Sequence, residues 1–134
     1  MRWMLDTDTC IALIKKRPES ALKKLRGKSI GQVGISSITL GELAYGASKS
    51  TRSAESQAAL NEFLLALEVA EFDYRAAMQY GAVRASLARK GTPIGSLDTL
   101  IGAHATSIEA ILVTHNTREF GRITGLRLED WLNA

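Results

Sequence analysis

The sequence has one cysteine, Cys10, two prolines and only 6% aromatic residues. A single cysteine excludes an intrachain disulfide and a zinc site built on cysteines, and it agrees with a reducing compartment. So few aromatic rings argue against a nucleic-acid site in which bases stack along an aromatic platform. We therefore expect Trp3, Phe72 and Trp131 to lie in the hydrophobic core.

The sequence also lacks long apolar runs. None approaches the roughly 20 residues that a membrane-spanning helix needs, and the apolar stretch in residues 1–5 is shorter than the about 7 to 15 residues of a secretory signal. No internal repeat or low-complexity linker divides the chain. Its 134 residues are 46% hydrophobic, which is enough to bury a core. We predict a single domain over residues 1–134, located in the cytoplasm and not in a membrane.

The net charge of +3 is small, but the positive residues are unevenly distributed. A basic stretch in residues 15–28 is opposed within that range only by Glu19. Such a stretch can follow the phosphates of a nucleic acid, or it can be the solvated face of two helices. The sequence leaves both interpretations open. The basic residues are Lys15, Lys16, Arg17, Lys23, Lys24, Arg26 and Lys28.

Short apolar runs alternate with longer amphipathic ones, and this pattern predicts an α/β fold. Because parallel strands need crossovers that helices supply, we expect a parallel sheet of four to five strands covered on both faces. The predicted strands are residues 2–5, 33–35, 69–72, 111–113 and a short last strand near 126–128. The predicted helices are 9–16, 19–26 entered at Pro18, one capped by Ser36 or Ser37, two with apolar stripes over 60–67 and 76–87, and one capped by Ser96.

Three carboxylates fall where such a fold would bring them together. Asp6 directly follows the first strand, Glu42 lies in the helix after the second, and Asp98 lies in the first turn of the helix before the fourth. Ligands bind beyond the carboxyl ends of parallel strands, and clustered carboxylates repel one another unless a cation neutralises them. Oxygen ligands favour Mg²⁺, with Mn²⁺ as a substitute, over zinc. We therefore predict a metal site formed by these acids.

Each acid also has an ordinary structural explanation. Asp98 suits the positive end of a helix dipole, and a glutamate in mid-helix, such as Glu42, is usually solvated. We expect Asp8 to be the N-cap of the first helix. His104 falls on the apolar side of its helix and is expected to be a core residue, whereas His115 lies close to the candidate site and could contact a substrate.

A cation held by carboxylates suits phosphodiester hydrolysis, because the ion can activate water and orient the phosphate. If two ions are bound, Asp6 is the natural bridge between them. Two alternatives to phosphodiester hydrolysis remain open, which makes three possibilities. Asp6 and Asp8 after a strand also look like the nucleophile and acid of a haloacid-dehalogenase-type phosphatase, although Glu42 then has no role. The third possibility is a non-catalytic module that only binds RNA.

Four segments, taken in order, resemble the PIN-domain ribonucleases, and within them the VapC toxins of bacterial toxin–antitoxin pairs. The resemblance implies a PIN-like three-layer α/β/α sandwich that extends over nearly the whole chain. It also implies a metal-dependent endoribonuclease that cuts structured RNA, such as tRNA or rRNA, with metal-activated water. The segments are residues 4–8, 35–43, 93–98 running on to Ala105, and 112–120.

The resemblance further implies roles for single residues. Asp6, Glu42 and Asp98 would form the metal site, with Thr114 lining it. Asn116 stands where many family members have a fourth acid, and either Asn116, through a metal-bound water, or Glu119 would fill that position. Asp8 stands where relatives often have asparagine, which implies a supporting polar role.

The resemblance also implies partners. They are an RNA substrate, a homodimer partner, and a cognate VapB-type antitoxin that blocks the site, within a larger toxin–antitoxin assembly. The residues that we expect to contact RNA are Lys15, Lys16, Arg17, Lys23, Lys24 and His115.

Overall fold

A computed structural model describes residues 1–133. Within them, five parallel strands form one sheet in the order β3-β2-β1-β4-β5. The predicted α/β class and parallel sheet are confirmed. The strands are β1 (Trp3–Leu5), β2 (Val33–Ser36), β3 (Glu68–Ala70), β4 (Ile111–Val113) and β5 (Leu128–Glu129). The helices are α1 (Thr7–Ile14), α2 (Glu19–Arg26), α3 (Ser37–Lys49), α4 (Ser53–Leu64), α5 (Tyr74–Lys90), α6 (Ser96–Ser107) and α7 (Thr117–Phe120).

The three central strands β1, β2 and β4 are buried on both faces of the sheet, whereas the edge strands β3 and β5 are partly exposed. Successive residues of a strand point to opposite faces. In β1, Leu5 belongs to a core shared with α1, α2, α3 and α4, whereas Met4 belongs to a second core shared with α5 and α6. Covering on both faces explains why these central strands are mostly apolar instead of alternating with polar residues. The three-layer α/β/α arrangement is therefore confirmed. No helix within residues 1–133 is both long and apolar enough to cross a membrane.

Several predicted boundaries were wrong for local reasons. The third strand ends at Ala70, before the predicted Phe72, because the Phe72 N–H donates to Ser37 Oγ at 3.0 Å instead of pairing with β2. The last strand begins at Leu128, where the predicted range of 126–128 ends, and it continues to Glu129. Pro18 precedes α2 instead of starting it. Ser96 begins α6 but does not cap it, since Gly95 occupies the N-cap position without a side-chain hydrogen bond.

The chain after β5 is fastened to the start of β1 and to the loop after α2. Glu129 accepts hydrogen bonds from the indole N–H groups of Trp3, at 3.3 Å, and Trp131, at 3.0 Å. The Lys28 ammonium lies 4.2 Å from the centre of the Trp3 ring. Trp131 is a core residue as predicted, but Trp3 and Phe72 are only half-buried. One member of the basic stretch, Lys28, is therefore committed to packing on tryptophan.

Candidate metal site at the carboxyl edge of the sheet

Asp6 is buried at the point where β1 ends and α1 begins. Its Oδ1 accepts the Thr9 N–H at 2.9 Å, so Asp6 is the N-cap of α1. The prediction that Asp8 caps this helix was wrong, and the predicted start at residue 9 was two residues late. The physical reason is that Asp6 keeps the extended backbone of the strand, as an N-cap requires, and the chain turns helical at once. Asp8 is exposed on the first turn.

The environment of Asp6 holds its carboxyl group rigidly. Burial raises its pKa, and hydrogen bonds from Thr114 and Thr9 partly oppose that rise, while the charge of Asp8 adds to it. Thr114 is itself fully buried just after β4, which neighbours β1 in the sheet. The expectation that Thr114 lines the site therefore agrees with its position. Asp6 is a buried acid with a fixed orientation, as a metal ligand should be.

Asp98 lies in the first turn of α6, as predicted, and its pKa is raised to about 6. Burial is the largest cause, followed by the charges of Asp6, Glu119, Glu42 and Asp8. Repulsion of this kind acts over short distances. The structure thus brings together carboxylates that are far apart in the sequence, at the edge where β1 and β4 end.

Glu42 reaches this edge from α3 and is half-buried. Its Oε1 accepts a hydrogen bond from the Thr7 hydroxyl at 2.6 Å. Thr7 is the first residue of α1, directly after Asp6. The sequence contained no signal for this contact, because a threonine at the start of a helix is ordinary and its partner is 35 residues away.

Asn116 and Glu119 act together on the other side of Asp98. The Asn116 side chain donates from Nδ2 to Glu119 Oε2 at 3.0 Å, and its backbone N–H donates to Thr114 Oγ1 at 2.9 Å. Asn116 therefore links Thr114, which lines Asp6, to the carboxylate of Glu119. The short helix α7, which the sequence did not predict, carries Glu119.

The carboxylate oxygens at this edge are suitable ligands for a hard divalent cation. Within residues 1–133, no group of three acidic, histidine or cysteine side chains is arranged to enclose a metal ion by itself. Mg²⁺ does not need such an enclosure, since it keeps several waters and is usually held by one or two carboxylates. The Cys10 thiol is fully buried and burial raises its pKa well above the usual range. The acids present therefore fit a hydrated Mg²⁺ or Mn²⁺ ion better than a soft metal.

An open cleft of about 740 Å³ leads from these acids across the surface. Glu42 and Asp8 lie along it, and the half-exposed side chains of Tyr45 and Leu97 line it further out. Lys49 also lines the cleft, with its ammonium 5.1 Å from the centre of the Tyr45 ring. A polymer could approach the acids along this cleft, whereas a closed pocket would admit only a small molecule.

One end of the basic stretch lies near Glu42, because Lys15 and Glu42 line the same cavity of about 380 Å³. Lys15, Lys16 and Arg17 follow the end of α1, about 12 Å from its start at a rise of about 1.5 Å per residue. Arg26 pairs with Glu19 at 3.4 Å. The exposed members that make no ion pair within residues 1–133 are Lys15, Lys16, Arg17, Lys23 and Lys24.

The two histidines occupy different environments. His115, after β4, is exposed, and its Nδ1 lies 2.9 Å from Asp130 Oδ2. His104 is a core residue, as predicted, and its Nδ1 lies 2.7 Å from Ser36 Oγ. Only His115 is therefore accessible to a substrate.

Comparison with known proteins shows which family this chain belongs to. The profile of the PIN domain matches residues 3–126. The chain is 47% identical over 131 residues to the tRNA(fMet)-specific endonuclease VapC of Salmonella typhimurium, covering 98% of both chains. It is 42% identical over 132 residues to Ribonuclease VapC2 of Rickettsia felis, again covering 98% of both.

Solved structures agree with these matches. The crystal structure of DNA-bound VapBC from Salmonella typhimurium has a TM-score of 0.93 and 46% identity, with 98% of each chain covered. VapBC2 from Rickettsia felis, bound to a DNA fragment from its promoter, has a TM-score of 0.89 and 40% identity, with 98% of this chain and 99% of that chain covered.

The raised pKa of Asp98 leads to a prediction about stability. A pKa of about 6 in the folded protein exceeds the ordinary 3.8, so the folded state binds this proton more tightly and stability should fall as the pH rises from about 4 to about 6. We expect Asp98→Asn to stabilise the metal-free protein at pH 7, by on the order of 1 kcal/mol once solvent screening is allowed for. Urea unfolding at several pH values, with chelator present, measures this.

Glu62→Gln, on the exposed surface of α4, removes one negative charge away from the cluster and serves as the control. Asp98→Asn should also weaken the pH dependence of stability between 4 and 6, whereas Glu62→Gln should not. An Asp98→Asn protein that is no more stable than wild type at pH 7 would contradict the argument from repulsion.

Proposed function

Because this chain belongs to the PIN-domain family, and within it to the VapC ribonucleases, we propose that it is a magnesium-dependent endoribonuclease and the toxin of a toxin–antitoxin pair. The observation that carries the proposal is that Asp6, at the end of β1, and Asp98, in the first turn of α6, lie close enough to Glu42 for the charges of Asp6 and Glu42 to raise the pKa of Asp98. The names of the relatives support the reaction class. The fold matches favour this reading over the phosphatase, which would also leave Glu42 without a role.

In this proposal Asp6 and Asp98 hold the ion and Glu42 completes the site, directly or through metal-bound water. When bound, Mg²⁺ or Mn²⁺ lowers the pKa of a water and offsets charge on the scissile phosphate. The protein contributes a preorganised set of acids. The Thr9 N–H and the Thr114 side chain orient Asp6, and the Thr7 hydroxyl orients Glu42. Such fixed geometry lowers the entropic cost of aligning the reactants.

We assign the fourth acidic position to Glu119 and a positioning role to Asn116. Glu119 is the second-largest charge contribution to the raised pKa of Asp98, after Asp6, so its carboxylate lies close to the site. Asn116 carries no charge, but its amide donates to that carboxylate at 3.0 Å. Asp8 is exposed and supports the site through its charge.

We propose tRNA, and initiator tRNA in particular, as the substrate. The support is that the Salmonella typhimurium relative, 47% identical over almost the whole chain, is named a tRNA(fMet)-specific endonuclease. The exposed basic residues after α1 and on α2 would bind phosphates of the RNA, and His115, directly after Thr114, would contact the RNA at a second place. A structured RNA can span both places, which a small phosphate ester cannot.

We also propose that the chain binds a VapB-type antitoxin and forms a homodimer within a larger complex. The support for the antitoxin is that solved structures similar to this chain over almost its whole length are of VapBC. An antitoxin segment that covered the cleft beside Glu42 would block access to the acids.

The first test is cleavage by the purified protein. We expect it to cut a tRNA(fMet) transcript with Mg²⁺ or Mn²⁺, to cut an elongator methionine tRNA less, to stop with chelator, and to leave p-nitrophenyl phosphate intact. Asp6→Asn and Asp98→Asn should each lower the rate by roughly 100-fold or more, since even a residue that only supports a ligand is worth about 10- to 100-fold.

The fold should survive Asp6→Asn because asparagine caps a helix as well as aspartate does, and it should survive Asp98→Asn because that change removes a repelled charge. Glu62→Gln is the matched control and should cut at the wild-type rate. If wild-type protein binds RNA but does not cut it with either ion, the non-catalytic alternative is correct and the proposed function is wrong.

A second test separates Asn116 from Glu119. We expect Glu119→Gln to lower cleavage by about 10- to 100-fold, as loss of a supporting carboxylate does. Adding Asn116→Asp to that variant should restore much of the activity, because it places a carboxylate where many relatives have one. Full activity of Glu119→Gln alone would show that Glu119 does not supply the fourth charge.

A third test concerns the basic stretch. In an inactive Asp98→Asn background, the double change Lys23→Glu and Lys24→Glu should weaken tRNA binding and flatten its dependence on salt, because each lost phosphate contact lowers the slope by roughly 0.7 to 0.9. The control is the double change Arg89→Glu and Lys90→Glu at the end of α5, which alters the net charge equally. Equal slopes in both double variants would show that Lys23 and Lys24 do not contact RNA.

A further inference from the structure

A buried hydrogen bond joins the two helices that carry Glu42 and Asp98. Ser36, the N-cap of α3, has its Oγ 2.7 Å from Nδ1 of His104 on α6. Both residues are almost fully buried, with 0% and 1% of their surface exposed. No other side-chain hydrogen bond within residues 1–133 links α6 to the start of α3.

The surroundings determine where the protons lie. Ser36 Oγ already accepts the Ile38 N–H at 3.0 Å, and its own proton has no acceptor within residues 1–133 other than His104 Nδ1. A buried hydroxyl proton without an acceptor is costly, so Ser36 donates and the imidazole accepts. Burial lowers the pKa of His104, while Asp73 and the backbone carbonyl of Glu71 partly oppose this. His104 is therefore neutral at pH 7, with its proton on Nε2.

The start of α3 is held on a second side as well. Ser37 Oγ accepts the Phe72 N–H at 3.0 Å, and the Phe72 ring meets the His104 ring edge-on with the ring centres 5.3 Å apart. Helices are stiff over two turns, so fixing one point on each helix also fixes nearby residues. Glu42 lies six residues after Ser36, and Asp98 lies six residues before His104.

We propose that His104 is a positioning residue of the metal site, whose hydrogen bond with Ser36 fixes α3 relative to α6 and thereby the separation of Glu42 and Asp98. This inference rests on the proposed function, because it gives His104 a role toward the same ion. An apolar side chain of similar volume would fill the core, but it would leave the Ser36 proton unpaired and the two helices unlinked.

Two substitutions of His104 separate the positioning role from simple core filling. The carbonyl oxygen of asparagine lies two bonds from Cβ, as Nδ1 does, so His104→Asn keeps an acceptor for Ser36. The amide of glutamine lies one bond further out, near the position of Nε2, so His104→Gln keeps a polar group toward Glu71 but loses that acceptor. We expect the affinity for Mn²⁺, measured by calorimetry without RNA, to stay within about 3-fold of wild type in His104→Asn and to fall by about 10- to 100-fold in His104→Gln.

Urea unfolding of both variants shows how much of the effect is structural. If both lose stability and both bind Mn²⁺ like wild type, His104 is only a core residue and the inference is wrong. If His104→Gln does not fold, Ser36→Gly replaces it, because glycine is tolerated at an N-cap and the change removes the hydroxymethyl group that bonds to His104 Nδ1 and Ile38 N–H. Ser36→Gly should then show the same loss of Mn²⁺ affinity, and wild-type affinity would overturn the proposal.

A spectroscopic measurement on the metal-free protein tests the proton assignment. Nitrogen-15 NMR of the imidazole at pH 7 should show His104 neutral and protonated on Nε2, and protonation on Nδ1 would overturn the proposal. The proposed function can fail separately. Wild-type protein that neither binds Mn²⁺ nor cuts RNA would refute that function, whereas wild-type binding with no difference between His104→Asn and His104→Gln would refute only the role of His104.

Discussion

The main physical constraint on the candidate site is the mutual repulsion among carboxylates that the fold holds close together. Asp6, Glu42, Asp98 and Glu119 come from four different parts of the chain, and burial together with their charges raises the pKa of Asp98 to about 6. A folded protein holds such an arrangement only if its packing outweighs the repulsion. A divalent cation would remove much of the cost, which is the physical reason to expect one at this edge.

The packing that opposes the repulsion is a parallel sheet buried on both faces. β1 lies in the centre of the sheet, between β2 and β4, so Asp6 leaves the sheet at a point fixed by neighbours on both sides. Hydroxyl and amide groups then orient the acids individually, as Thr7 does for Glu42 and Asn116 does for Glu119. In our proposal, the Ser36–His104 hydrogen bond orients no single acid but fixes helix α3 relative to helix α6.

The basic stretch shows that a run of like charges is not one functional unit. Lys28 packs on Trp3 and Arg26 pairs with Glu19, so these two have local structural partners. The other five are exposed at the end of α1 and on α2, and Lys15 among them lines a cavity with Glu42. Exposed positive charges spread over the ends of two helices suit a large, folded substrate better than a small phosphate ester.

The sequence by itself determined the α/β class and the parallel sheet, and it indicated Asp6, Glu42 and Asp98 as acids that lie near one another, because strand–helix alternation and residues that follow strands are local features. It did not determine which aspartate caps α1, since Asp6 and Asp8 are equally good caps and only the abrupt end of β1 selects Asp6. It also could not reveal the contacts Thr7–Glu42 and Ser36–His104, whose partners are 35 and 68 residues apart. Such contacts arise when crossover helices dock on the sheet, so tertiary packing alone decided them.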